Sequence, residues 1–363
     1  MEKKQTKEYC IVDILGQEKS EQEVLSKIYE DDVLSDIYHS YPDDTKHDFL
    51  NFMTGKHGLK VTYDPFFKMI FDPYINPERL EAFLEEIIGQ PVKIMHVLQC
   101  DSQKIHAGSS IVIMDIVLSL TDGSIMDVEI QKVGYSFPGE RSCCYASDLI
   151  MRQYNRAKKQ PKKEGKKFSF RSLKPVYVII IMEDSPSTFK AVAPHYLHKK
   201  VTTYDSGANV AELSNIVYIS LDTFQDVVQN IDTPLHAWLA FLSAYKPKDI
   251  IKLVDSHPEF LELYHEIAAF RDRTEDIMGF FSDALIQMDL ATEEYMWDEM
   301  KKEKAKLTTE LDQLSSEKEK LSEENEKLSG ENEKLSGENE KLSTENASLK
   351  DELAALRKLL SEK

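Results

Sequence analysis

The chain has 363 residues, a mass of 41.8 kDa and a net charge of −19. This length allows two or three folding units, and the acidic charge excludes a protein that coats nucleic acid through its overall charge. Four cysteines without a CxxC pair argue against a disulfide framework or a zinc cluster. The first eight residues lack an apolar stretch, and the longest apolar run, Val176 to Met182, is too short to cross a bilayer. We therefore expect a cytoplasmic protein without a membrane segment.

In chain order, residues 1–62 form a polar N-terminal extension that predicts one or two short helices, for example around Glu21 to Ile37. From Tyr63 the pattern becomes that of an α/β domain, which we predict to extend over residues 63–234. Apolar residues at helical spacing predict helices around 66–71 and 80–88, the second ended by Gly89. A further helix is predicted from Gly139 to about Ala157. Runs rich in β-branched residues predict strands at 93–98, 111–120, 124–132, 176–182 and 216–221. These elements predict a mixed sheet flanked by helices.

The C-terminal part is helical in pattern and divides in two. Residues 235–300 predict a helical subdomain, and residues 301–363 predict a coiled coil, because leucine recurs there every seven residues. The eight leucines are Leu307, Leu314, Leu321, Leu328, Leu335, Leu342, Leu349 and Leu356. With leucine at position d of the heptad, four a positions carry asparagine, at 325, 332, 339 and 346. A buried asparagine is best satisfied by the matching asparagine of an in-register partner, which favours a parallel homodimer. The alternative is a solitary charged helix, which Gly330 and Gly337 leave open.

A pair of acidic residues lies on a predicted β-hairpin. Asp122-Gly123 is a strong turn signal between two apolar runs, which carry Asp115 and Glu129. A three-residue loop places Asp115 directly opposite Glu129 on one face of the hairpin. A two-residue turn would place them on opposite faces, and the sequence leaves both registers open.

Asp115 lies in an otherwise apolar strand, where an acidic side chain costs folding free energy unless it is paired or binds a metal. Two facing carboxylates repel each other, and Mg²⁺ or Mn²⁺ removes this repulsion while offering open coordination positions for catalysis. The alternative is that Asp115 is solvated at a sheet edge and Glu129 pairs with Arg141 or a lysine.

Three blocks of sequence resemble the PD-(D/E)XK nuclease superfamily, and more closely its transposase family, the Rpn-type recombination-promoting nucleases. The first block is Asp64-Pro-Phe-Phe-Lys-Met-Ile-Phe71, a D-x-x-F-K-x-x-F pattern. The second is the hairpin from Asp115 to Gln131, and the third is Phe137-x-x-x-Arg141-x-x-x-Tyr145. The resemblance covers Tyr63 to about Leu242. It implies a restriction-endonuclease-like core within the α/β fold.

The resemblance also implies roles for individual residues. Asp115 and Glu129 match the metal ligands, and Gln131 fills the place of the superfamily's catalytic lysine. Asp64 matches an additional acid, although its position before Pro65 is equally typical of a helix N-cap. Arg141 would contact a phosphate or form a structural salt bridge.

A basic segment stands out in this acidic chain. Residues 152–174 contain ten basic residues and one acid, and Gln160-Pro161 with Gly165 predicts a loop there. Contact with the DNA backbone is one interpretation, and a solvated loop without function is the other. The lysines proposed for this contact are Lys158, Lys159, Lys162, Lys163, Lys166 and Lys167.

Together these features predict a metal-dependent endodeoxyribonuclease of transposase type whose coiled coil pairs two catalytic domains on DNA. The alternative is a catalytically inactive nuclease-fold protein that acts as a coiled-coil interaction or DNA-binding module.

Overall fold

The computed structural model describes residues 9–98, 115–133, 138–164 and 168–361. Within these ranges, six strands form one mixed sheet in the order β1-β2-β3-β4-β6-β5. β1, β2 and β3 are antiparallel, β3, β4 and β6 are parallel, and β5 is an antiparallel edge strand. The strands are β1 (Ile94–Leu98), β2 (Ile116–Leu120), β3 (Ile125–Val133), β4 (Val176–Asp184), β5 (Leu197–Lys199) and β6 (Ser214–Ser220). The predicted mixed-sheet α/β fold is confirmed.

The two faces of the sheet pack against different helices. Met126, Val128 and Ile130 of β3 point into the larger core, which contains most of the helices. Ile125 of the same strand points to the other face, where it packs against one long helix, α7 (Pro138–Glu164). This alternation follows from the two-residue period of a strand. The odd-numbered residues of β3 therefore face α7.

The N-terminal part forms more helices than the one or two predicted from sequence. They are α1 (Ile11–Leu15), α2 (Glu21–Tyr29), α3 (Asp32–Ser40) and α4 (Asp43–Thr54). The capping residues Ser20 and Asp31 begin α2 and α3, since their side chains accept hydrogen bonds from the first turn of each helix. Ile14 and Phe49 are fully buried in the larger core. The N-terminal helices thus share that core with the sheet.

The helices around the predicted site begin and end close to the expected positions. α5 (Asp64–Ile70) and α6 (Pro77–Ile88) precede the sheet, and Gly89 ends α6 in a left-handed conformation with φ of 80°. α7 continues to Glu164, past the loop predicted at Gln160-Pro161. A proline one turn from a helix end interrupts few of the remaining hydrogen bonds. Residues 165–167 lie outside the described residues.

The remaining helices follow the parallel strands. They are α8 (Ser187–Lys190), α9 (Leu221–Val227), α10 (Pro234–Ser243), α11 (Pro247–Ser256), α12 (Phe260–Ala269) and α13 (Thr274–Ser361). Leu239, Ile250, Tyr264 and Ile277 bury their side chains in the larger core. The predicted division at residues 62, 234 and 300 stays a prediction.

The chain divides into two compact units, residues 1–295 and residues 296–363. The second unit is helical throughout its described length. Its eight heptad leucines are each between 53% and 64% exposed in the single chain. Among the described residues, no helix is long and apolar enough to cross a membrane.

Candidate active site

The turn of the β2–β3 hairpin decides which face each acid occupies. The N–H of Leu120 donates to the carbonyl of Ser124 at 2.9 Å, which leaves a three-residue loop at positions 121–123. Gly123 has a φ of 90°, a conformation that glycine adopts without a side-chain clash. Ile116 consequently pairs with Val128. The next pair outward is Asp115 and Glu129, as in the three-residue register.

The Asp115 and Glu129 carboxylates each accept a hydrogen bond from a backbone N–H of the opposite strand. The N–H of Asp115 donates to Glu129 Oε1 at 3.0 Å, and the N–H of Ile130 donates to Asp115 Oδ2 at 2.9 Å. Glu129 is 4% exposed and the Asp115 side chain is 17% exposed. Asp115 is therefore not an acid solvated at a sheet edge, and both carboxylates face a common interior position.

α5 brings a third acid to the same place. Asp64 is the first residue of α5, after the N-cap residue Tyr63, and Lys68 lies one turn further along the helix. The Lys68 Nζ is 2.9 Å from Asp64 Oδ2 and 3.1 Å from Asp115 Oδ1. Asp64 Oδ1 is buried, and no described residue donates a hydrogen bond to it. Asp64 thus belongs with the hairpin acids, because its side chain points toward Asp115 and does not cap the helix.

Asp115 repels both Glu129 and Asp64 in a poorly solvated position. Burial and then the charge of Asp115 raise the pKa of Glu129 from 4.5 to about 8. The same two causes raise the pKa of Asp64 from 3.8 to about 6. Burial alone would lower the pKa of Lys68, but the charges of Asp115 and Asp64 outweigh it and raise that pKa above 10.5. Lys68 is therefore charged at neutral pH and offsets part of the repulsion.

Gln131 and Asp127 extend this polar face of β3, because they lie two residues on either side of Glu129. Gln131 is 8% exposed and Asp127 is fully buried. Sequence reasoning assigned no role to Asp127 or Lys68. The signals were present, since Asp127 has the same strand parity as Glu129 and Lys68 is four residues after Asp64.

Arg141 and Tyr145 approach the acids from α7. The Arg141 Nε donates to the Tyr145 hydroxyl at 2.6 Å, and the guanidinium lies 5.4 Å from the centre of the Tyr145 ring. The charge of Arg141 lowers the pKa of Glu129, opposing the effect of Asp115. Burial and then the charge of Glu129 raise the pKa of Tyr145 well above 10. Arg141 thus lies near Glu129, where a structural role and a phosphate contact are both compatible with its position.

Among the predicted DNA-binding lysines, the two whose side chains the structure describes are not brought together with the acids. Lys158 and Lys159 are exposed on α7, about 25 Å along the helix axis from Arg141 at a rise of about 1.5 Å per residue. Lys162 and Lys163 lie on its last turn. Lys166 and Lys167 lie outside the described residues.

The donor set fits a hard divalent cation in its chemistry. Carboxylate oxygens from Asp64, Asp115 and Glu129 suit Mg²⁺ or Mn²⁺, and Asp64 Oδ1 is a buried acceptor without a donor among the described residues. In their present positions, the described residues contain no group of three His, Cys, Asp or Glu residues spaced to bind a metal ion. The ammonium of Lys68 supplies the positive charge between Asp64 and Asp115.

A cleft of about 920 Å³ opens beside the first turn of α5. Asp64 and Lys68 lie on its wall together with Arg79, Phe270 and Phe280, from α6, the segment after α12 and the first turns of α13. Its size is within the usual range of ligand clefts. Asp64 thus borders the cleft, whereas Asp115 and Glu129 are not among the residues that line it.

Comparisons with known proteins identify the family of the chain. The model of the PD-(D/E)XK nuclease family transposases matches residues 61–294, which include all three acids. The repetitive tail matches the model described as FAZ1, C-terminal, over residues 301–335 and again over 323–353. Neither the curated proteins nor the solved structures gave a match. The first match covers more than half of the sequence and has the mixed α/β fold that the structure shows, so the chain belongs to the PD-(D/E)XK nuclease family transposases.

Proposed function

We propose that this protein is a metal-dependent endodeoxyribonuclease of transposase type that hydrolyses phosphodiester bonds in DNA. The observation that carries the proposal is the convergence of Asp64, Asp115 and Glu129, where burial and then the charge of Asp115 raise the pKa values of Asp64 and Glu129. Such a cluster destabilises the fold and is typical of a functional site. Membership of a nuclease family supports the same conclusion.

In this proposal Asp115 and Glu129 bind Mg²⁺ or Mn²⁺, and Asp64 provides a further oxygen. The bound ion would lower the pKa of a water molecule and neutralise charge that develops on the phosphodiester. The amide of Gln131 orients the attacking water or a phosphate oxygen by a hydrogen bond, since it lies on the same face as Glu129. Lys68 contributes a fixed positive charge beside the acids. Arg141 contacts a phosphate at the start of α7.

The helical tail has a role in assembly in this proposal. Its leucines are half-exposed in the single chain, so burying them requires a partner. A second copy with asparagine at the matching a positions satisfies both the leucines and the amides. The resulting parallel homodimer carries two nuclease domains, which allows both strands of a DNA duplex to be cut.

The test is nicking of a supercoiled plasmid with Mg²⁺ or Mn²⁺ by the wild-type protein, Asp115→Asn and Glu129→Gln. Both substitutions keep the shape of the side chain and remove its charge. We expect each to lower the nicking rate by about 100-fold or more, because the metal supplies several kcal/mol of charge stabilisation. Asp272→Asn is the matched control, since the Asp272 side chain is 78% exposed and pairs with Lys19 on the surface. Equal nicking by the wild type and Asp115→Asn would contradict the proposal.

One observation favours the alternative of an inactive nuclease-fold module. The Lys68 ammonium is bound by both Asp64 and Asp115, and the described acids are not spaced as a metal site. A cation must therefore compete with Lys68 for these oxygens. If neither ion stabilises the wild-type protein against thermal unfolding and no nicking occurs, the fold serves as a scaffold for DNA or partner binding.

A further inference from the structure

Three aromatic side chains form a cluster on the protein surface near the end of α7. The Tyr154 and Phe170 rings are stacked, with centroids 6.2 Å apart and an angle of 20° between them. Phe168 contacts both edge-on, at 5.3 Å from Tyr154 and 5.0 Å from Phe170. We call these three residues the aromatic platform. Its outermost member, Phe170, is 72% exposed.

Polar contacts also help to hold the segment that carries the platform. The N–H of Lys174 donates to the buried Gln153 side chain of α7 at 2.5 Å, which fixes the chain after the platform. The Ser169 hydroxyl accepts from the N–H of Arg171 and caps the short helical turn that carries Phe170. Although these polar contacts and two neighbouring rings hold the segment, the Phe170 side chain remains 72% exposed. A ring held rigidly in solvent is suited to stack against a planar ligand.

The charges around the platform identify the class of that ligand. Exposed basic residues flank it in sequence at Arg156, Lys158, Lys159, Arg171 and Lys174. The Lys158 Nζ lies 5.4 Å from the centre of the Tyr154 ring. The segment 152–174 has one acid against ten basic residues, in a chain whose net charge is −19. A surface that combines aromatic rings with phosphate-binding cations matches nucleic acid with exposed bases, since duplex DNA hides its base faces.

The position of the platform relates it to the proposed nuclease site. Tyr145, whose pKa the charge of Glu129 raises, is nine residues before Tyr154 on α7. Nine residues of helix span about 14 Å, which is a distance that a few nucleotides of one strand can cover. The Gln153 amide also reaches the carbonyl of Gly123 in the hairpin turn at 3.4 Å. The platform is therefore fixed to the same hairpin that carries Asp115 and Glu129.

We propose that the aromatic platform binds unpaired bases of the DNA substrate on one side of the bond that is cut. This inference rests on the proposed nuclease function for its choice of DNA and names the form of that DNA. Bases stack on Phe170 while the surrounding lysines and arginines bind the phosphates of the same strand. Single-stranded segments, such as frayed or looped ends, are accordingly preferred over intact duplex.

The experiment measures binding without cleavage, by fluorescence anisotropy in EDTA at one fixed salt concentration. A labelled thymidine oligonucleotide is compared with an abasic oligonucleotide of the same length, which keeps the phosphates and lacks the bases. We expect the wild type to bind the thymidine oligonucleotide at least about fivefold more tightly. Phe170→Ala and Phe170→Leu remove this preference without changing affinity for the abasic strand. Phe170→Leu keeps an apolar side chain, so it isolates the effect of the ring.

Tyr204→Ala is the matched control, because Tyr204 is an exposed aromatic residue outside the basic segment. This variant should retain the preference for the thymidine oligonucleotide. Equal wild-type affinity for both oligonucleotides, or an undiminished preference in Phe170→Leu, would overturn the inference. Tighter binding of a uridine RNA than of the thymidine DNA would overturn the choice of DNA. Because no cleavage is measured, a base preference in a protein that fails to nick plasmid contradicts only the nuclease proposal. Nicking without a base preference contradicts only the platform.

Discussion

The substitution Glu129→Gln tests the electrostatics of the candidate site without requiring any catalytic activity. Glu129 is buried, and burial with the charge of Asp115 raises its pKa from 4.5 to about 8. Glutamine has the same shape and keeps an oxygen that accepts from the N–H of Asp115. It has no proton to lose in this pH range. The variant therefore removes the titration of the Glu129 carboxyl and changes little else in the site.

The sign and size of the effect follow from the two pKa values. Between about pH 4.5 and pH 8 the folded protein holds a proton on Glu129 that the unfolded chain has released, so the free energy of unfolding falls as pH rises. At about 1.36 kcal/mol per pKa unit, this group accounts for a loss of about 3 kcal/mol between pH 4.5 and pH 7. The raised pKa of Asp64, about 6, adds a smaller loss of the same sign in both proteins.

The assay is urea unfolding of residues 1–363 at several pH values from about 5 to 8. We expect the wild-type stability to fall across this range and the Glu129→Gln curve to be flatter by about 3 kcal/mol. Glu262→Gln is the control, since Glu262 is exposed on α12. Addition of Mg²⁺ should restore part of the wild-type stability near pH 8 and have less effect on the variant. Parallel pH curves for the wild type and Glu129→Gln would refute the assignment of a buried, protonated Glu129.

Two further predictions concern the rest of the chain. Gly55→Ala should lower the free energy of unfolding by about 2 kcal/mol or more, because Gly55 has a φ of +82° and an added Cβ would lie 2.2 Å from Arg271 Nη1. Gly89→Ala is the control, since Gly89 has a φ of +80° and no described atom lies within 4 Å of an added Cβ. It should lower the free energy of unfolding by only about 1 kcal/mol in the same urea titration. Equal losses would show that the contact with Arg271 is unimportant. In light scattering, the wild type should have the mass of two 41.8 kDa chains. Leu328→Asp should weaken the dimer by about 2 kcal/mol or more per chain, because it places a charge at a buried d position. Lys327→Asp is the control and should leave the dimer intact, since position c points outward. A monomeric wild type would contradict the coiled-coil dimer.

The sheet was predictable from the sequence because its strands carry strong local signals. Val176 to Met182 is nearly all apolar and becomes β4, which is buried between two neighbours. The three-residue strand β5 was missed, since Leu197–Lys199 is too short to show a period and pairs only at the sheet edge. Its formation depends on the edge of β6, a feature that local sequence does not contain.

The site was predictable to a different extent for each residue. Asp122-Gly123 indicated the hairpin but left two registers, and the choice depends on the conformation of Gly123. Asp64 had two equally typical interpretations, which only the packing of α5 against the hairpin could separate. The role of Lys68 required knowing that Asp64 and Asp115 meet, although they are 51 positions apart in the sequence. Residues that act through contacts between distant segments are those that sequence patterns identify least well.

The position of Lys68 connects the stability of the site with its proposed chemistry. Three carboxylates and one ammonium leave the cluster with excess negative charge, which the raised pKa of Glu129 relieves by holding a proton. A divalent cation would supply the missing positive charge, so that Glu129 would release its proton when the ion binds. The same repulsion that costs stability in the absence of metal therefore favours metal binding when the ion is present. A destabilised cluster of this kind is typical of a functional site and fits the metal-dependent nuclease that we propose.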